Sequence, residues 1–196
     1  MKKILLIIPI LCFTMMFCSC TNRGRQIEPL RIDTIDFDIK SATQMIQSGE
    51  KLIADISIKD TATREEFDQF IIDIDQAYDN YEEVQWMYLF FSNAEIEDKN
   101  ITTLQLSKDT FYPTIYHRDI EIVSAQIENA FYQDETLTSS TLIIREEYLG
   151  KDRRLKDWFR EYHYQKNDDD QWVFHTFNGQ INIGEKGFTS DYLELK

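Results

Sequence analysis

The chain has 196 residues and a formal net charge of −14, from 21 Lys+Arg against 35 Asp+Glu, with 42% hydrophobic and 13% aromatic residues. That apolar content is enough for a core and excludes wholesale disorder, while the length fits one domain, at most with a tail. The acidic balance excludes a nucleic-acid partner held through its phosphates and a basic patch for anionic lipid, and three cysteines exclude a disulfide-rich scaffold.

Lys2 and Lys3 precede an apolar run, Ile4 to Phe17, broken only by Pro9 and Thr14. The run is shorter than the roughly 20 residues of a membrane span and reads as the hydrophobic region of a secretory signal. Cys18-Ser19-Cys20 follows it. This box resembles the cleavage site of bacterial lipoproteins of the Bacteroides type, in which small residues precede a cysteine that becomes lipidated. The resemblance implies a signal peptide over 1–19, lipidation at Cys20, and a membrane anchor through acyl chains, each buried methylene contributing about 0.8 kcal/mol. Cys12 and Cys18 leave with the signal, so the mature chain carries no disulfide. Thr21 to Leu30 has Asn, Gly, Pro and two Arg and little to bury, and residues 20–30 read as the lipidated cysteine and its tether. Arg23 and Arg25 stand where surface-exported lipoproteins of this type carry acids. The resemblance therefore implies an outer-membrane lipoprotein of the cell envelope facing the periplasm.

Residues 31–196 read as one domain, with no internal repeat and no linker rich in Pro, Gly or Ser. Ser41 to Ile56 is predicted as a helix from the partial stripe Ala42, Met45, Ile46, Leu52 and Ile53, interrupted by Gly49. Asp60 to Thr63 supplies cap chemistry, and Glu65 and Glu66 suit a first turn. Phe67, Phe70, Ile71, Ile74, Tyr78 and Tyr81 then form one face of an amphipathic helix. Val84 to Phe91 fits either its continuation or a buried strand. Ile101 to Leu106 is a short strand, and Ile120, Val123, Ile127, Ala130 and Phe131 fall at helical spacing. Thr141 to Leu149, Trp158 to Gln165 and Gln171 to Phe177 are predicted strands, the last two joined as a hairpin by the polar run Lys166 to Asp170. Gln180 to Ile183 is a further strand.

Helices first and an antiparallel sheet last predict an α+β fold, with N-terminal helices packed on a C-terminal curved antiparallel sheet. Two helices leading to the hairpin Tyr162-His163-Tyr164, polar loop, Gln171-Trp172-Val173-Phe174 resemble the cystatin-like cone of nuclear-transport-factor-like proteins. That resemblance implies a sheet wrapped around a helix with a pocket at its open end. The family hosts enzymes and binders alike, so it assigns no activity.

Trp158, Tyr162, Tyr164 and Trp172 are candidate pocket residues, because Trp and Tyr offer flat apolar faces with a polar tip suited to a carbohydrate or peptide. Alternation places His163 and Glu161 on one face, the pair a small pocket enzyme of hydrolase or isomerase type would use as a general base. If Lys166 pairs with Gln171, His163 opposes Phe174 and Tyr162 opposes His175, so the two histidines face opposite ways. His117 is read as a loop residue. Asp73, Asp75 and the run Asp168-Asp169-Asp170 lack the ligand set of a calcium loop and read as solvated charge, and Lys151, Arg153, Arg154 and Lys156 balance the acidic surface. No metal, cofactor or nucleic acid is expected. The reading that results is a lipid-anchored envelope module for a small ligand or an envelope protein.

Overall fold

The computed structural model describes residues 30–78, 98–106, 113–179 and 195–196. The predicted signal, Cys20, the predicted tether up to Pro29, Val84 to Phe91 and Gln180 to Ile183 lie outside the described residues. Among the described residues the fold is α+β, with two helices against a curved, antiparallel five-stranded sheet. In chain order the elements are β1 (Arg31–Asp36), α1 (Ile39–Ser57), β2 (Thr61–Thr63), α2 (Arg64–Tyr78), β3 (Thr103–Gln105), β4 (Ile120–Phe131), β5 (Leu137–Tyr148), β6 (Phe159–Lys166) and β7 (Trp172–Gly179). The main sheet runs β1-β4-β5-β6-β7, and β2 pairs with β3 in a separate ribbon.

Both helices start on side-chain caps. Asp38 Oδ2 accepts from the Ser41 amide at 2.8 Å and the Ser41 hydroxyl at 2.7 Å at the head of α1. These bonds hold the Asp38 carboxyl below its ordinary range. At α2 the exchange is reciprocal: the Glu66 amide donates to Thr63 Oγ1 at 3.1 Å, and the Thr63 amide donates to Glu66 Oε2 at 2.9 Å. This is a capping box, two orphan donors satisfied together. α1 runs straight through Gly49, where propensity alone argues for a break. The Tyr78 ring of α2 lies directly against Gly49, and any Cβ there would overlap it. The glycine is the seat of an interhelical contact, so its propensity cost of about 1 kcal/mol is offset by packing.

One face of α1 (Ala42, Ile46, Ile53) and one of α2 (Phe67, Phe70, Ile74, Tyr78) meet Leu142, Ile144, Tyr162 and Tyr164 of the sheet in a single buried cluster. Tyr78 stacks on Tyr162 at 6.1 Å and meets Phe174 edge-on at 5.2 Å. A second cluster, Ile120, Tyr148, Leu155 and Trp158, closes the other end of β5.

Two sequence expectations change, and one strand is new. The segment Ile120 to Phe131 is strand β4, not a helix. β4 and β5 pair along their length, with register shifts between Ile122 and Ser124 and between Ala130 and Phe131. Val123 is the extra residue at the first shift. It moves the inward-facing set from Ile120 and Ile122 to Ala125 and Ile127, a spacing that imitates a helical stripe. The β6–β7 hairpin closes with Lys166 opposite Trp172, not Gln171, and Tyr164 opposite Phe174; a shift then places His163 opposite Thr176 and Tyr162 opposite Phe177. His175 is the bulged residue and is exposed. β1 carries no apolar stripe and is exposed along its whole length, an edge strand that periodicity does not reveal.

Candidate functional site

Alternation along β5 and β6 buries two charged side chains as well as the apolar ones. Glu146 follows Leu142 and Ile144 on the inner face, and Arg160 precedes Tyr162 and Tyr164. Glu50 of α1 comes one turn after Ile46 and meets them there. Arg160 Nη2 lies 2.7 Å from Glu50 Oε1, 2.7 Å from Glu146 Oε2 and 2.6 Å from the Pro113 carbonyl. The Tyr162 hydroxyl donates to Glu50 Oε1, and the Ile115 amide donates to Glu50 Oε2 at 2.8 Å. Burial pushes the Glu146 carboxyl well above its ordinary range, and the nearby Glu50 charge adds to this while Arg160 opposes it. A proton on Glu146 leaves one cation and one anion, the state an enclosed site favours.

His117 anchors the same loop. It lies in the 113–119 connection, as the sequence suggests, but is completely buried. Its Nδ1 accepts from the Thr114 amide at 3.1 Å, which puts the ring proton on Nε2, 3.1 Å from Ser57 Oγ. Ser57 in turn donates to the Ala54 carbonyl at 2.8 Å. The hydroxyl thus accepts from the histidine instead of giving it a proton, so the Ser–His contact is a structural strut and not a nucleophile with its base. Burial first, then the positive charge of Arg160, lowers His117 to about 4.

Described residues line two cavities on the helical side. The smaller, about 250 Å³, is lined by Met45, Gln76, Ala77, Tyr78, Tyr164, Trp172, Val173 and Phe174. Two of the four aromatic candidates, Tyr164 and Trp172, come together here. The other two do not. Tyr162 is enclosed with its hydroxyl on Glu50, and Trp158 is buried in the second core cluster. In the pocket wall Tyr164 and Phe174 meet edge-on at 5.6 Å, and Lys166 Nζ lies 5.3 Å over the Trp172 ring. The larger cavity, about 410 Å³, is a groove between α1 and α2.

His163 and Glu161 share the outer sheet face, half-buried, 3.4 Å apart. Glu161 also accepts from Arg145 at 2.8 Å and from Asn178 at 3.3 Å, and Arg145 continues to Glu147 at 2.7 Å with its guanidinium 3.9 Å over the Phe159 ring. The pair belongs to a surface ladder and lines neither cavity. Lys151, Arg153 and Lys156 are exposed around the buried Leu155. Asp168 to Asp170 form the hairpin loop, where Asn167 Oδ1 caps the amides of Asp169 and Gln171. Among the described residues, no three His, Cys, Asp or Glu converge as a metal site requires, and no helix is long and apolar enough to cross a membrane. No family model, curated protein or solved structure matches the chain.

Proposed function

We propose that this protein is a lipid-anchored binding module of the bacterial cell envelope, held to the outer membrane through Cys20 and facing the periplasm. Its ligand is a small molecule or peptide with a flat apolar face, seated between Trp172, Tyr164 and Phe174. The observation that supports binding over catalysis is the lining of the aromatic pocket. Among the described residues it contains one amide, Gln76, the Tyr164 hydroxyl and the Trp172 indole for orientation, and no His, Asp, Glu, Lys, Ser or Cys side chain to move a proton or form a covalent intermediate.

Titration of the purified domain with oligosaccharides and with Tyr- and Phe-containing tripeptides, read by tryptophan fluorescence, tests this. At least one class is expected to change the emission, and Trp172→Ala to weaken it about tenfold or more with the far-UV spectrum unchanged. A full panel without response, or equal response from the variant, rejects the pocket. In cells, Cys20→Ala is expected to abolish acyl labelling and membrane association; labelling that persists rejects the anchor.

A further inference from the structure

The groove between α1 and α2 has a different chemistry from the aromatic pocket. Its floor is Leu52, Ile56, Ala62 and Phe70, and its rim is Asp55, Glu65, Glu66 and Asp73 with one cation, Lys59. Two of the rim acids are already answered. Lys51 pairs with Asp55, and Lys59 donates to Glu66 at 3.1 Å. Asp73 accepts only from the Gln69 amide, at 2.8 Å, and neither Asp73 nor Glu65 has a Lys or Arg partner among the described residues. The groove therefore presents apolar surface between two acids that still lack a counter-charge. It occupies the C-terminal half of α1 and the first two thirds of α2, away from the Met45 and Tyr78 end that forms the aromatic pocket.

We propose that this groove docks a basic amphipathic helix of a partner protein, with apolar side chains on Leu52, Ile56 and Phe70 and Lys or Arg side chains on Glu65 and Asp73. Charge complementarity selects that occupant. A second copy of this chain would bring like charge to like charge, since the whole protein stands at −14. The chain's own internal stretches outside the described residues bring no net positive charge to the rim: 79–97 carries five acids and no Lys or Arg, 107–112 one Lys and one Asp, and 180–194 one Lys and three acids. A helix fits because the groove is itself a seam between helices, where a third helix adds i, i+3 and i+4 contacts. The proposal stands independently of the aromatic pocket.

The test uses a short helical peptide with leucines on one face flanked by lysines, its Lys→Glu counterpart, and a version with the leucines replaced by glutamine. Binding to the domain is read by fluorescence anisotropy at low and at physiological salt. The Leu/Lys peptide is expected to bind, the acidic counterpart to fail, and the glutamine version to lose at least about tenfold. Glu65→Lys with Asp73→Lys is expected to weaken binding about tenfold or more, and Glu65→Gln with Asp73→Asn to fall between. The hairpin-loop pair Asp168→Lys with Asp169→Lys makes the same change in net charge away from the groove, and is expected to leave affinity within about twofold at physiological salt. Equal losses from the two Lys pairs would reduce the effect to bulk charge and overturn the proposal. So would undiminished binding of the glutamine peptide, or a self-associating domain whose dimer the groove variants dissolve. Thermal melts of each variant separate misfolding from lost binding, and the neutral pair keeps the test decisive if the Lys pair fails to fold.

Discussion

Replacing Arg160 by leucine is expected to cost the domain about 3–5 kcal/mol, because it leaves buried acids without their cation. Glu50 and Glu146 are completely enclosed, and Arg160 Nη2 is within 2.7 Å of a carboxylate oxygen of each. The loss reaches beyond the ion pair. Glu50 belongs to α1, Glu146 to β5, Arg160 and Tyr162 to β6, and the Pro113 carbonyl and Ile115 amide to the loop before β4. A single guanidinium joins a helix, two strands and a connection. The measurement is urea unfolding near neutral pH, compared with a triple variant that adds Glu50→Gln and Glu146→Gln. With no buried charge left to strand, the triple variant is expected to recover about half of the loss or more. A single variant within about 1 kcal/mol of the parent would show the cluster to be of little weight.

The second large effect is a pH dependence from His117. The folded protein holds this ring neutral down to about 4, against an ordinary value of 6.5. Between those limits the unfolded chain takes up a proton that the folded chain refuses. Stability from this group is therefore complete above 6.5 and is lost as pH falls toward 4, by about 3 kcal/mol in all. Glu146 has the opposite sign. Its folded carboxyl keeps its proton well above 4.5, so its contribution declines as pH rises past that value. Over the shared window the two slopes oppose each other and flatten the curve of the parent protein. The informative quantity is the difference from His117→Gln, which removes one titration and leaves the other. Relative to the parent, the variant is expected to gain up to about 1.4 kcal/mol per pH unit as pH falls from 6.5 to 4. Parallel stability curves across that range would contradict the assignment.

Much of this architecture was legible from local pattern. The stripes of α1 and α2, the capping box at Thr63 and the strands β5 to β7 all follow from periodicity and cap chemistry. β4 carries a helical signature because a bulge at Val123 changes the phase of an alternating strand, and a phase change of one residue turns spacing of two into an apparent mixture of two and three. β1 was missed because an edge strand with both faces in solvent has no pattern to show. The buried trio was present in the alternation itself. Counting in twos from Leu142 reaches Glu146, and counting back from Tyr164 reaches Arg160. A charged residue in phase with a buried face signals an enclosed ion pair. Glu50 was visible in the same way, one turn beyond Ile46. What no local rule supplies is which of four aromatic side chains share a pocket, because Tyr164 and Trp172 are joined there by residues from both helices.

The position of β1 has a mechanical consequence. The chain enters the sheet at Leu30, whose amide donates to Phe131 at the far end of β4, and Arg31 to Asp36 then run antiparallel beside Phe131 to Gln126. A pull arriving through the preceding segment along the strand axis loads all six paired positions together in shear. An edge strand with no buried side chain is therefore held by its backbone hydrogen bonds, and its resistance to such a pull depends little on which side chains it carries.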